Sequence, residues 1–336
     1  MTERVTMRDV AAAAGVSPMT VSRALKQDSS VTAETRKTVQ AAADRLGYVY
    51  DSTAQAFRAQ RSGFVAVTLP SINNANFAST HKALTARLSH AKLQLLLGIT
   101  NYDLDAEERL VRQLLARRPE AFILTGGTHT DVTRKLLQAV DCPVLEMWDI
   151  PAQPIQHVVG FSNAEAMALI VDHLAQRGHR RFGFLGANPG TDLRGAERRR
   201  GAAQAARRLG LPDMVQFDVG PAPATMTHGA NFVRNAGPAL EGLDALICVS
   251  DPVAFGAMAA LVEAGRQVPD EIAVTGFGNF EIARIGHPKL TTVEVGAQPI
   301  GLMVGDLIAG LLDAETRSLV PQCQHLDPRL ILGGSS

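Results

Sequence analysis

The sequence predicts an α/β protein in which a small helical head precedes two lobes built on parallel sheets. Three observations carry this. The first 50 residues read as three short helices in a helix-turn-helix layout, and from residue 62 onward short apolar runs alternate with amphipathic segments. That alternation is interrupted near residues 160–163. The chain has 336 residues, of which 46% are hydrophobic and 20% charged. This leaves ample core material for two or three domains and excludes disorder over most of the length.

The head is read from its punctuation. Thr6 is placed to cap a helix over 7–14 with Val10, Ala11 and Ala14 on one face. Gly15 ends it, because the left-handed C′ position is cheap only for glycine. Ser17 is an N-cap and Pro18 follows at the first helical position, where a missing N–H costs nothing. The second helix then runs over 18–25. Thr32 opens a third over 33–46, with Val39, Ala42, Ala43 and Leu46 at helical spacing and Gly47 closing it. A helix, a glycine turn and a capped second helix at this spacing form a helix-turn-helix; a generic three-helix bundle is the alternative. Residues 1–62 carry nine Lys/Arg against six Asp/Glu, while the remainder carries 24 against 27, so the balanced totals of 33 and 33 hide a basic head. Such a head points to an anionic partner.

In the body, apolar runs at 64–69, 93–99, 121–124, 144–147, 158–161, 182–185, 245–249 and 272–275 predict strands. Segments at 78–90, 105–117, 163–177, 198–209 and 252–264 predict the helices between them. Strand–helix alternation at this pitch means parallel sheets covered on both faces. In such sheets ligands sit at the carboxyl ends of the strands. That rule selects residues 71–77, 125–129, 148–149, 162–163, Asp251 and 278–279, and so brings forward Ser71, His129 and Asn279. His129 is equally readable as an ordinary loop histidine, Asp251 as a helix cap, and Trp148 as core.

Several classes are excluded. The stretch at 160–164 lacks the second glycine of a nucleophile elbow, Gly276-Phe277-Gly278 lacks the third glycine of a dinucleotide loop, and there is no Walker pattern. An enzyme is therefore not expected, nor a cofactor. Cys142, Cys248 and Cys323 are too scattered for a disulfide framework or a metal knuckle, and the histidines form no metal set. The N-terminus is charged where a secretory signal needs its apolar region, and no apolar stretch approaches a membrane span. The expectation is a cytoplasmic protein without membrane contact.

The head residues Met7-Arg8-Asp9-Val10-Ala11, Gly15-Val16-Ser17, Thr20-Val21-Ser22-Arg23-Ala24-Leu25 and Leu46-Gly47-Tyr48 resemble the DNA-binding head of the lactose-repressor (LacI/GalR) family. The resemblance implies that the second helix enters the major groove, with Pro18, Met19 and Arg23 facing bases and Thr20 and Ser22 near phosphates. Arg23 is then the candidate for a bidentate guanine contact. Residues 51–61 resemble the family's hinge helix. Phe57 stands where the family has its minor-groove leucine, a departure that leaves it a wedge or an interdomain packing residue. The resemblance continues through Leu69-Pro70-Ser71, Arg177-Gly178-His179-Arg180, Arg198-x-x-Gly201, Ser250-Asp251 and Gly276-Phe277-Gly278. It implies a two-lobed effector domain like the periplasmic sugar-binding proteins, over 62–336. One lobe spans about 62–160 and 290–322, the other about 161–289 and 323–336.

Carried over by position, Phe77, Asp149, Asn163, Arg198 and Asp251 line the cleft. Arg194, Arg199 and Arg200 are assigned to a solvated helix face. Gly278 replaces the family's usual aspartate, which suits an anionic effector. The stretches 125–130, 146–149 and 159–165 look most like the gluconate-operon repressor branch. The resemblance thus implies a homodimeric repressor on a pseudo-palindromic operator in double-stranded DNA, released by a sugar acid such as gluconate. Alternatives are a neutral or phosphorylated sugar as effector, or a non-regulatory sugar-binding protein. With no trailing leucine heptads, a coiled-coil tetramer is not expected.

Overall fold

The computed structural model describes residues 5–26, 28–50, 62–313 and 320–336. The chain divides into two compact units, Met1–Ser62 and Gly63–Ser336. The head is three helices, α1 (Met7–Ala14), α2 (Pro18–Leu25) and α3 (Ala33–Leu46), closed over Val10, Val21, Ala24, Val39, Ala42 and Ala43. Its caps follow the sequence closely. Ser17 Oγ accepts from Thr20 N–H at 3.1 Å and Thr32 Oγ1 from Thr35 N–H at 3.2 Å. Gly15 sits at φ 66°, the left-handed conformation its position requires. The Asp9 carboxylate accepts from the Thr6 amide and hydroxyl at 2.8 and 2.7 Å, so Thr6 acts at the start of α1 as a donor.

The second unit holds two parallel sheets. In the first lobe the strands are β1 (Phe64–Leu69), β2 (Gln94–Ile99), β3 (Phe122–Thr125), β4 (Val144–Met147), β5 (His157–Gly160) and β11 (Cys323–His325), in the order β11-β5-β4-β3-β1-β2. Helices α4 (Ala75–His90), α5 (Leu104–Leu115), α6 (Asp131–Gln138) and α12 (Ala297–Leu312) belong with this lobe. In the second lobe β6 (Phe182–Gly186), β7 (Val215–Asp218), β8 (Ala245–Cys248) and β9 (Ala273–Thr275) lie in the order β7-β6-β8-β9. They are accompanied by α7 (Asn163–Gln176), α8 (Leu193–Arg208), α9 (Met226–Ala236), α10 (Asp251–Glu263) and the short α11 (Glu281–Ile285). Every pairing within these two sheets is parallel; β1, β3, β4, β5, β6, β8 and β9 are buried, as strands covered on both faces must be, whereas the edge strands β2, β7 and β11 are partly exposed.

The lobe boundary differs from the expected one. β10 (Thr292–Glu294) pairs antiparallel with β12 (Arg329–Ile331), and both pack on α7 of the second lobe. β11 instead joins the first lobe's sheet, with Cys323 opposite Val158. The chain therefore returns to the first lobe after β10, not at about residue 290, and leaves it after His325, not at 322. The reason is the exposed edge of β5, whose free backbone groups β11 satisfies. Among the described residues no helix is long and apolar enough to cross a membrane.

Candidate functional site

The carboxyl ends of both sheets face a common cleft of about 280 Å³, where the strand-end rule places it. From the first lobe come Ser71 and Phe77 after β1, Tyr102 after β2 and Trp148 after β4; from the second come Asn163 at the start of α7, and Asp192, Arg194 and Arg198 at the start of α8. Phe277 and Phe280 follow β9 and complete an aromatic wall. Trp148 is packed edge-on against Phe77 and Phe161, with ring centroids 5.1 and 5.9 Å apart. It has φ 73°, and Tyr102 has φ 63°. A bulky residue in the left-handed region is strained, and such strain gathers at ligand sites.

Two guanidiniums occupy the cleft. Arg198 lies 4.5 Å from the Phe277 ring centroid and 3.8 Å from the Asp192 carboxylate, with its side chain 13% exposed. Burial lowers its pKa against the pull of Asp192, yet an arginine stays charged. Arg194 lies 5.2 Å from the Phe77 ring and donates to the Thr125 carbonyl at 3.2 Å, which ties the second lobe to the first. The charge run predicts a solvated Arg194, whereas the structure turns it into the cleft; a run of arginines at 194–200 does not mark which turn of α8 faces inward. Arg199 is not solvated either, since it donates to the carbonyls of Ala187 and Phe217 at 3.2 Å. Arg200 is exposed and pairs with Glu197. Among the described residues Asp192 is the one carboxylate lining the cleft, so its described charged residues sum to a net positive site.

Three buried polar atoms of cleft residues have no partner: Arg198 Nε, Trp148 Nε1 and Asn163 Oδ1. Each unmet group costs about 1–3 kcal/mol, so these two donors and one acceptor are the cleft groups that a polar partner would satisfy. Asn163 Nδ2 donates to the Trp148 carbonyl at 3.3 Å and to Asp149 Oδ1 at 3.4 Å. Asp149 itself faces a smaller adjoining chamber; burial raises its pKa, partly countered by the Ile150 amide and by Arg194.

Three expected cleft residues lie elsewhere. His129 is buried, with Nδ1 2.6 Å from Glu107 and Nε2 3.4 Å from Glu146, because the loop after β3 turns inward onto α5. Asp251 is fully buried and serves the fold. Its carboxylate accepts from the Phe280 amide at 2.7 Å and the Thr292 hydroxyl at 2.5 Å, and burial pushes its pKa up to about 6. Asn279 donates to Glu294 at 3.3 Å and lines a different groove. Gly278 has φ 117°, and a Cβ there would fall 2.4 Å from the Phe280 ring and 2.8 Å from Asn76 Nδ2. The backbone geometry itself therefore asks for glycine.

On the head, Met19 is 63% exposed and Pro18 and Arg23 are exposed beside it, while Thr20 and Ser22 are half-buried. α2 thus presents the surface expected of a reading helix. Phe57 lies outside the described residues.

Residues 6–51 match the family model described as bacterial regulatory proteins, lacI family, and residues 171–336 match the periplasmic binding protein-like domain. Across most of its length the chain is 32% identical to the HTH-type transcriptional regulator GntR of Pseudomonas aeruginosa, covering 93% of this chain and 90% of that one. The chain belongs to the LacI family. Two solved structures of transcriptional regulators agree with it in fold. A LacI family regulator from Silicibacter pomeroyi superposes with a TM-score of 0.91 at 30% identity, over 98% of this chain and 99% of that one. The transcription regulator GntR from Chromobacterium violaceum gives 0.74 at 32% identity, over 81% and 99%. As a LacI-family member, the chain is a DNA-binding transcriptional regulator with an effector domain of the periplasmic-binding type, and its relatives are regulators.

Proposed function

We propose that this regulator is a cytoplasmic homodimeric repressor that leaves a pseudo-palindromic operator when a small sugar acid, gluconate or a close relative, enters the interlobe cleft. The observation that carries the reading is the cleft's charge: two guanidiniums, Arg194 and Arg198, face one carboxylate, Asp192. A buried carboxylate ligand needs charge-assisted partners, and a planar guanidinium is the best of them. Arg198 Nε and Trp148 Nε1 are donors without partners, and Asn163 Oδ1 is matched to a hydroxyl. The aromatic wall suits the carbon chain. The names of the relatives at 32% and 29% identity, both GntR, are compatible with this effector class. In the head, Arg23 is the residue proposed to read guanine, with Ser17, Pro18, Met19, Thr20 and Ser22 fitting the groove and its phosphates.

Calorimetry on Arg198→Ala tests the effector. Gluconate affinity is expected to fall at least tenfold, the loss of a charge-assisted contact of about 1.5–3 kcal/mol. Unchanged gluconate affinity, or tighter binding of galactose, ribose or a phosphorylated sugar than of any sugar acid, would overturn the assignment.

A further inference from the structure

A second chamber adjoins the cleft at Arg194. Arg194 and Tyr102 line both the main cleft and this chamber of about 40 Å³. By the yardstick of ~10–15 Å³ per water-sized probe, this holds about three or four such groups and no six-membered ring. Its walls differ in chemistry from the main cleft. They carry the Asp103, Glu107 and Asp149 carboxylates and Thr100, Thr125 and Thr191, so acceptors and hydroxyls dominate. Gly126 and Gly127 let the partition stand close to the backbone: a Cβ at Gly126 would fall 3.0 Å from Arg194 Nη1, and one at Gly127 2.7 Å from Pro151. Arg194 is held in place from the first lobe by the Thr125 carbonyl and the Phe77 ring, so the partition is built.

We infer that the site is bipartite and selects an open-chain polyhydroxy acid. The carboxylate end lies on the guanidinium side, and the hydroxylated tail passes Arg194 and Tyr102 into the acceptor-lined chamber. This rests on the anionic-effector reading above and adds ring exclusion and a chain-length requirement. A ring-form acid of equal charge satisfies the arginines but leaves the second chamber unfilled, and a short acid does not reach it.

The full-length protein is titrated by calorimetry with three-, four-, five- and six-carbon aldonates, with glucuronate as the ring-form acid of equal charge, and with neutral sorbitol. Affinity is expected to rise at least tenfold from the three- to the six-carbon acid, with glucuronate at least tenfold weaker than gluconate. Asp149→Asn, nearly isosteric and checked by melting without ligand, should lower gluconate affinity at least fivefold more than glycerate affinity. Should that variant fail to fold, the wild-type series decides alone. Sugar acids that bind with a flat chain-length series, or glucuronate equal to gluconate, overturn the bipartite site while leaving the anionic effector standing. If no acid binds, or sorbitol binds as well as gluconate, the anionic reading falls and the bipartite site with it.

Discussion

Held between Glu107 at 2.6 Å and Glu146 at 3.4 Å, His129 is buried with two carboxylates. Burial alone would discharge it, but the Glu107 hydrogen bond and the pull of Glu146 outweigh burial and push its pKa up to about 9. A folded pKa above the unfolded value of about 6.5 means the cation stabilises the fold. That contribution is complete below about pH 6.5 and is lost as pH rises through about 9. Replacing His129 with Gln leaves two buried carboxylates without their cation, a change that costs about 3–5 kcal/mol in buried ion pairs. The difference in unfolding free energy between wild type and His129→Gln should therefore be large at pH 6 and shrink toward pH 9.5. A difference independent of pH would show that the imidazole is neutral in the fold. The same residue explains a limit of sequence reading. A histidine after a strand end has the same local signature whether its loop turns outward to a ligand or inward to carboxylates 17 and 22 residues away in the chain. Asp251 is a similar case, since its place before a helix does not reveal that its carboxylate binds the loop after β9 and the start of β10.

At the scale of elements, helices with a clean apolar stripe and marked caps were legible: α1, α2 and α3 begin and end where Thr6, Ser17, Thr32, Gly15 and Gly47 place them. Two long helices escaped. α9 carries Gly229, and α12 carries Gly301, Gly305 and Gly310 with Pro299, and glycine costs about 1 kcal/mol in a helix interior. Packing overrides that cost. A Cβ at Gly256 would fall 1.9 Å from the Met226 carbonyl oxygen and one at Gly229 2.1 Å from that of Val253, so α9 and α10 cross backbone to backbone. Gly301 likewise meets the Thr80 carbonyl of α4, at 2.3 Å from a Cβ. The strands β7, β10, β11 and β12 escaped because each mixes polar with apolar residues over three or four positions and lacks the apolar run that marks the equally short β9. Gly256→Ala should force α9 off α10 and cost about 1–3 kcal/mol, or roughly 2–4 °C in melting temperature per kcal/mol for a domain of this size. Gly310→Ala is the contrast, because a Cβ there meets nothing within 4 Å. It should leave melting unchanged or raise it slightly through helix propensity. Equal melting of the two alanine variants would refute the close-crossing account.

For the molecule as a whole, the charge division matters more than the zero total. The nine Lys/Arg of residues 1–62 lie in the unit that holds the lacI-family head, so operator affinity should fall steeply with salt while effector affinity falls far less. The cleft joins two lobes through contacts that a ligand can rearrange: Arg194 to the Thr125 carbonyl, Asn163 to the Trp148 carbonyl, and Asn76 to the Gly278 carbonyl at 2.8 Å. A ligand shifts a two-state equilibrium only through its differential affinity for the two states. If a sugar acid releases the repressor from DNA, it must bind the operator complex more weakly than the free protein. Linkage also requires operator to bind the liganded protein more weakly by the same factor, typically ~5–150-fold. Both arms of the cycle are measurable: gluconate titrated into free protein and into the operator complex, and operator titrated with and without saturating gluconate. The expected result is one factor from both arms, above fivefold. Equal gluconate affinity in both states would mean that the acid is bound without being an inducer.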